Sequence, residues 1–263
     1  MKLFDSHCHL DDRAFDGDLD AVIQRMKAAG VAAAMIAGTN RRRSAQAVSI
    51  AESFAGCYAS VGIHPHAAKD CSEATLSFFK KLAQSPKVIA WGEIGLDFNR
   101  MFSPQKDQET WLIRQLEVAA NLNLPVIFHE RDSNGRLIEI LKNHRQTLQA
   151  GVIHCFSGNK TELQQYLDLG LYIGITGILT VRGRGADLRK LVPLIPANRL
   201  LIETDAPYLV PVPERNQTRR NEPAFVRTVM LKLAEVRNEN PEDLSTKIWE
   251  NTCRLFGIPV TLH

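Results

Sequence analysis

The chain has 263 residues, of which 44% are hydrophobic and 23% charged, ordinary globular values that exclude disorder, collagen-like repeats and coiled coil. Its 32 basic and 29 acidic residues leave a net charge of +3, too even a balance for global electrostatics to demand a nucleic-acid partner. The longest apolar run, Val31 to Ala37, falls far short of the roughly 18 residues that suggest a membrane span. Met1 to Leu10 lacks the apolar core of a secretory signal, so a cytoplasmic protein with no membrane contact is expected. Five scattered cysteines (Cys8, Cys57, Cys71, Cys155 and Cys253), with no Cys-x-x-Cys pair, fit reduced thiols.

Short Val-, Ile- and Ala-rich runs recur in chain order at Leu3 to His7, Val31 to Ala37, Tyr58 to Ile63 and Val88 to Ile94, then at Val126 to His129, Val152 to Cys155, Leu171 to Ile175 and Leu200 to Glu203. Between them lie segments of helical periodicity. Leu19, Val22, Ile23 and Met26 make one apolar face, Leu112, Leu116 and Ala119 another, and Val226, Val229, Met230 and Leu233 a third. Pro223 and Pro241 stand just inside expected helix starts, capped by Asn221 or Glu222 and by Asn240. Eight strands alternating with helices over this length predict an α/β fold, a (β/α)8 TIM barrel forming a single domain over residues 1–263. A doubly wound open sheet is the alternative, but no glycine-rich phosphate loop follows the first strand.

The chemistry-bearing residues stand where apolar strands stop. His7 and His9 are two apart, so strand alternation puts both imidazoles on one face and Cys8 on the other. Glu93 is a carboxylate inside an apolar run, costly there unless paired or bound to metal. His129, His154 and Asp205 follow the fifth, sixth and eighth runs. In a barrel all carboxyl ends open on one face, so these six residues are expected to converge on a two-metal site. His64 and His66 flank Pro65 after the third run and could bind phosphate or shuttle a proton, with an ordinary turn as the alternative. Arg131 and the basic loop that holds Arg215, Arg219 and Arg220 are candidates for phosphate, since the guanidinium fork donates two hydrogen bonds at once. Arg215 and Arg219 read equally well as solvated loop charge, and Tyr208 is the aromatic best placed to stack on a base. Glu130, an extra acid beside His129, should point away from the ligands by alternation.

The ordered segments Asp5-Ser6-His7-Cys8-His9-Leu10, Gly62-Ile63-His64-Pro65-His66, Gly92-Glu93-Ile94-Gly95-Leu96-Asp97, His154-Cys155-Phe156-Ser157-Gly158 and Glu203-Thr204-Asp205-Ala206-Pro207-Tyr208 resemble the motifs of the TatD family of metal-dependent deoxyribonucleases. The resemblance spans nearly the whole chain and implies a barrel of the metallo-dependent hydrolase type. It implies 3'-5' exonuclease action on single-stranded DNA or DNA ends, with RNA as a further substrate and DNA repair as the setting. Position by position it assigns His7, His9, Glu93, His129, His154 and Asp205 as ligands of two divalent ions, Mg, Mn or Zn. Glu93 is the implied bridge, and Asp205 also accepts the proton of the attacking water. Catalytic roles are expected for Glu93, Asp205 and His64, and substrate binding for His64, Arg131, Tyr208 and Arg220. A monomer is expected. Two other classes stay open on the residues alone: a small-molecule amide or ester hydrolase on the same bimetal site, and a non-catalytic protein whose metals serve folding.

Overall fold

The computed structural model describes residues 1–260. Strands and helices alternate as β1 (Leu3–Cys8), α1 (Leu19–Ala28), β2 (Val31–Ile36), α2 (Arg41–Ser53), β3 (Cys57–Val61), α3 (Glu73–Leu82), β4 (Val88–Asp97) and α4 (Gln105–Leu122). The chain continues with β5 (Val126–Arg131), α5 (Arg136–Asn143), β6 (Gly151–Ile153), α6 (Lys160–Asp168), β7 (Tyr172–Ile175), α7 (Ala186–Leu191), β8 (Leu200–Ile202), α8 (Val226–Arg237) and α9 (Pro241–Phe256). Among the described residues the strands form one eight-stranded sheet in the order β1 to β8. The pairs β3–β4, β4–β5, β5–β6 and β7–β8 are parallel. Sequential parallel order with a helix in each crossover is the (β/α)8 TIM-barrel arrangement, as expected.

The chain divides into two compact units, Ile36–Tyr172 and the remainder, Met1–Met35 with the part from Ile173 onward. In the unit that holds both chain ends, every residue of β1 is buried. Phe4 of β1 packs its ring 6.1 Å from Trp249 and 6.0 Å from Phe256, both on α9. The α8 face expected from periodicity is real, since Val226, Val229, Met230 and Leu233 are all fully buried. Asn240 caps α9 as expected, its side chain accepting from the backbone N–H groups of Glu242 and Asp243. The other expected start differs: Pro223–Phe225 is a 3-10 turn with no side-chain cap, and α8 begins only at Val226.

In the unit Ile36–Tyr172, two buried glutamines of α4 brace strand ends. Gln115 accepts from Ile63 N–H at 2.7 Å and donates to Ile63 O at 3.1 Å. Gln108 does the same at Asp97, at 2.8 and 3.1 Å. A polar side chain in a helix face thus satisfies backbone groups at the end of β4 and just past β3. It also fixes the backbone from which His64 and Asp97 project. β4 and β5 approach so closely that a Cβ on Gly95 would lie 1.9 Å from His129 O, and Gly95 has φ +148°, so only glycine serves there.

Candidate functional site

In the first unit, His7, His9 and Asp205 bring their donor atoms together. His7 Nε2 lies 3.3 Å from His9 Nε2, and Asp205 Oδ1 lies 3.3 Å from His9 Nε2 and 3.8 Å from His7 Nε2. The backbone builds this convergence, because Asp205 N–H donates to His7 O at 2.9 Å and His9 N–H to Ala206 O at 2.7 Å. Asp205 adopts a left-handed conformation, φ 57°, which costs a non-glycine residue roughly 1 kcal/mol or more. The neighbouring turn is tied down by Asp5, a fully buried carboxylate accepting from Thr204 N–H at 2.8 Å and Thr204 Oγ1 at 2.6 Å. Burial nevertheless pushes Asp5 up to about 8. Cys8 is fully buried and its Sγ faces Met35 O, away from the imidazoles, as alternation requires. Tyr208, half exposed, sets its ring 5.9 Å from that of His9 and donates its hydroxyl to Asp12.

Glu93, His129, His154 and His64 meet in the second unit. Glu93, 2% exposed, holds Oε1 2.8 Å from His129 Nδ1, 3.4 Å from His64 Nε2 and 3.9 Å from His154 Nε2. Its backbone is anchored by Glu93 N–H donating to Gly38 O, while His154 N–H donates to Phe128 O of β5. β6 ends at Ile153, so His154 and Cys155 lie beyond the strand and alternation does not reach Cys155, which is half-buried. His64 is buried, and burial lowers its pKa to about 4, leaving a neutral ring. Its Nδ1 accepts from His66 N–H at 3.0 Å, so the neutral ring carries its proton on Nε2, facing Glu93.

Asp97 belongs to this cluster and was given no role by the sequence reading. It is fully buried, 2.5 Å from His66 Nε2 and 3.4 Å from His129 Nε2, and accepts from the backbone of Asn99 and Arg100. Burial would raise its pKa, but the two imidazoles and the Arg100 amide overcome this and hold it far below the usual carboxylate range. In turn, although burial pulls His129 down, Asp97 and Glu93 raise it to about 9. A signal for Asp97 was present: Glu93, Gly95 and Asp97 alternate along β4, which puts both carboxylates on one face. His66, weighted below His64 in the sequence, is half-buried and joins His64 and His129 in a second group of convergent donors.

These donor sets suit divalent metal. Two ligands about 2.1 Å from one ion can stand at most about 4.2 Å apart. The separations of 3.3 and 3.8 Å in the first trio, and of 2.8 and 3.9 Å from Glu93 to His129 and His154, respect that limit. Imidazole donors suit Zn and related transition ions, and carboxylates suit Mn and Mg.

The basic candidates divide. Arg131 pairs in register with Asp97 and is half-buried, and its guanidinium has no hydrogen-bond or ion-pair partner among the described residues. Arg220 is occupied instead: it donates to Ala14 O and Asp18 Oδ1 through Nη1 and to Asp18 Oδ2 and Glu222 Oε1 through Nη2. Glu130 accepts from Ser133 N–H and Oγ, an arrangement local to the start of α5.

The family model described as TatD related DNase matches residues 4–257. The 3'-5' ssDNA/RNA exonuclease TatD of Klebsiella pneumoniae (strain 342) is 43% identical over 260 residues, covering 98% of this chain and 99% of the relative. Its namesake from Erwinia billingiae (strain Eb661) is 44% identical over 260 residues, covering 98% and 100%. Among solved structures, YjjV, a TatD homologue from Escherichia coli K12, matches with a TM-score of 0.89 at 32% identity over 98% of each chain. Motifs, strand order and full-length similarity agree, and the chain belongs to the TatD family of DNases.

Proposed function

We propose that the protein is a divalent-metal-dependent nuclease that removes nucleotides in the 3'-5' direction from single-stranded DNA and RNA. The observation that carries this reading is the pair of three-donor convergences at strand ends, His7, His9 and Asp205 and Glu93, His129 and His154, in a chain 43% identical along its length to 3'-5' ssDNA/RNA exonucleases. These six residues would hold divalent ions, Mg, Mn or Zn. Divalent ions, when bound, lower the pKa of water and offset charge on a phosphodiester.

The chain's own residues do the rest. Asp205, only 15% exposed, accepts the proton of the attacking water. His64, beside Glu93, takes part in binding the substrate phosphate or moving a proton, and Arg131, whose guanidinium has no partner among the described residues, donates to that phosphate. Tyr208 presents an exposed ring on which a base can stack. Arg220 serves substrate binding indirectly, by holding the segment that carries Tyr208 against Asp18. We read residues 1–263 as one domain acting as a cytoplasmic monomer; among the described residues no helix is long and apolar enough to cross a membrane.

The test is to incubate the metal-loaded protein with a single-stranded oligonucleotide and, separately, with a panel of aryl esters, amides and phosphates. Hydrolysis of the oligonucleotide, abolished by a chelator, is expected. Turnover of an ester or amide with DNA left intact would move the assignment to a small-molecule hydrolase. Unfolding on chelation, with no turnover of any substrate, would leave metal in a purely structural role.

A further inference from the structure

The segments after β7 and β8 carry a basic groove that neither ligand set uses. The first turns through Gly177–Thr180 and runs on to Gly185; the second runs from Leu209 to Arg219. They are fastened side by side. Val212 N–H donates to Thr180 Oγ1 at 2.9 Å, and Thr180 Oγ1 donates to Gly177 O at 2.6 Å. A Cβ on Gly177 would fall 2.4 Å from Leu209 O, so glycine is what allows the two backbones to meet. Arg189 of α7 holds the first segment in shape by donating to the carbonyls of Leu179, Val181 and Arg182. The groove is therefore built on a braced backbone.

Its floor includes Ile178, Leu209 and Val210, and Arg184, Arg215 and Arg219 line it around a space of about 230 Å³. All three arginines are exposed, and none has a hydrogen-bond or ion-pair partner for its guanidinium among the described residues. Nearby acids form no ion pair with them among the described residues: Glu214 accepts from Thr228 and Asp187 pairs with Lys190. The space is below the roughly 300–1,000 Å³ of pockets that enclose a small ligand, which favours a chain lying across it over a molecule buried in it. Three uncommitted guanidinium forks beside an apolar floor match a single-stranded nucleic acid, with phosphates on the arginines and sugar or base faces on the floor. The groove follows the carboxyl ends of β7 and β8, and Leu209 directly succeeds Tyr208.

We infer that this groove is a strand-holding subsite, taking backbone phosphates of nucleotides that lie beyond the one being released. The inference rests on the nuclease reading and adds a length dependence to it. The test compares native protein with a triple variant, Arg184→Ala, Arg215→Ala and Arg219→Ala, on a 20-nucleotide DNA or RNA and on a dinucleotide. For the 20-mer, KM should rise about tenfold or more with kcat little changed, and the slope of log affinity against log salt should shrink by about 2, near 0.7 per lost phosphate contact. Dinucleotide cleavage should stay within about twofold, because so short a substrate does not reach the groove. Equal KM values for the 20-mer in both proteins at every salt concentration would overturn the inference, as would equal losses on both substrates. Fluorescence anisotropy of a labelled 20-mer in chelator reads binding without turnover. Salt-sensitive binding lost in the variant, with no cleavage by the native protein under any ion, would uphold the groove while removing the nuclease reading.

Discussion

Asp97 lies outside the proposed ligand set yet faces His129, a member of it. A ligand histidine turns freely about its bond to Cβ unless its second nitrogen is held, and partners of that nitrogen orient the ring and raise its basicity. His129 faces Glu93 through Nδ1 and Asp97 through Nε2, so Asp97 fixes which nitrogen faces Glu93. Asp97→Asn keeps the shape and removes the charge; it should weaken divalent-metal affinity about 10- to 100-fold, measured by metal titration of the chelator-stripped protein. Unchanged affinity would show that His129 is oriented by packing alone. Arg131 yields a second prediction. Its guanidinium is free to meet a phosphate, and a hydrogen bond to a charged group contributes about 1.5–3 kcal/mol. Arg131→Ala should therefore lower kcat/KM on single-stranded DNA by roughly 10- to 100-fold while leaving metal content intact.

Contacts between neighbouring elements brace parts of the candidate site. α4 secures β3 and β4 through Gln115 and Gln108, so Gln108→Leu would leave the Asp97 amide and carbonyl buried without partners. Each such group costs about 1–3 kcal/mol, and chemical denaturation should show a loss of that order. Gly95→Ala should cost at least about 2 kcal/mol, since its Cβ would enter the backbone of β5 at His129. On the other unit, Arg25 and Arg220 converge on Asp18, and their hydrogen bonds hold its carboxyl down at about 2. A carboxylate depressed in the folded state stabilises the fold above its ordinary pKa, near 4, and loses that contribution as pH falls through about 2. The unfolding temperature of the native protein should therefore drop more steeply between pH 4 and 2 than that of Asp18→Asn. Parallel slopes would mean that this network contributes nothing to folding.

The architecture was legible in the sequence because strands buried on both faces read as continuous apolar runs, and a polar residue that ends such a run stands out. His7, Glu93 and His129 were visible for that reason. His154 and Asp205 lie one and three residues past strands only three residues long, so the apolar runs overstate those strands. Asp97 was passed over because the apolar run stops at Ile94 and Glu93 alone interrupts it, whereas β4 continues to Asp97. The occupation of Arg220 by Asp18 could not be foreseen, since the two are 202 positions apart in the chain. Arg184 and its neighbours gain meaning only when two segments lie side by side. The central claim, that these ligands serve stepwise metal-dependent hydrolysis of a nucleic-acid strand, is tested most directly by a time course on single-stranded DNA labelled at its 5' end. Native protein and Glu93→Ala would be compared with Mg, Mn or Zn. The account predicts a ladder of labelled products that shorten from the 3' end, absent in the variant. An intact strand with every ion, or an unchanged ladder from Glu93→Ala, would contradict it.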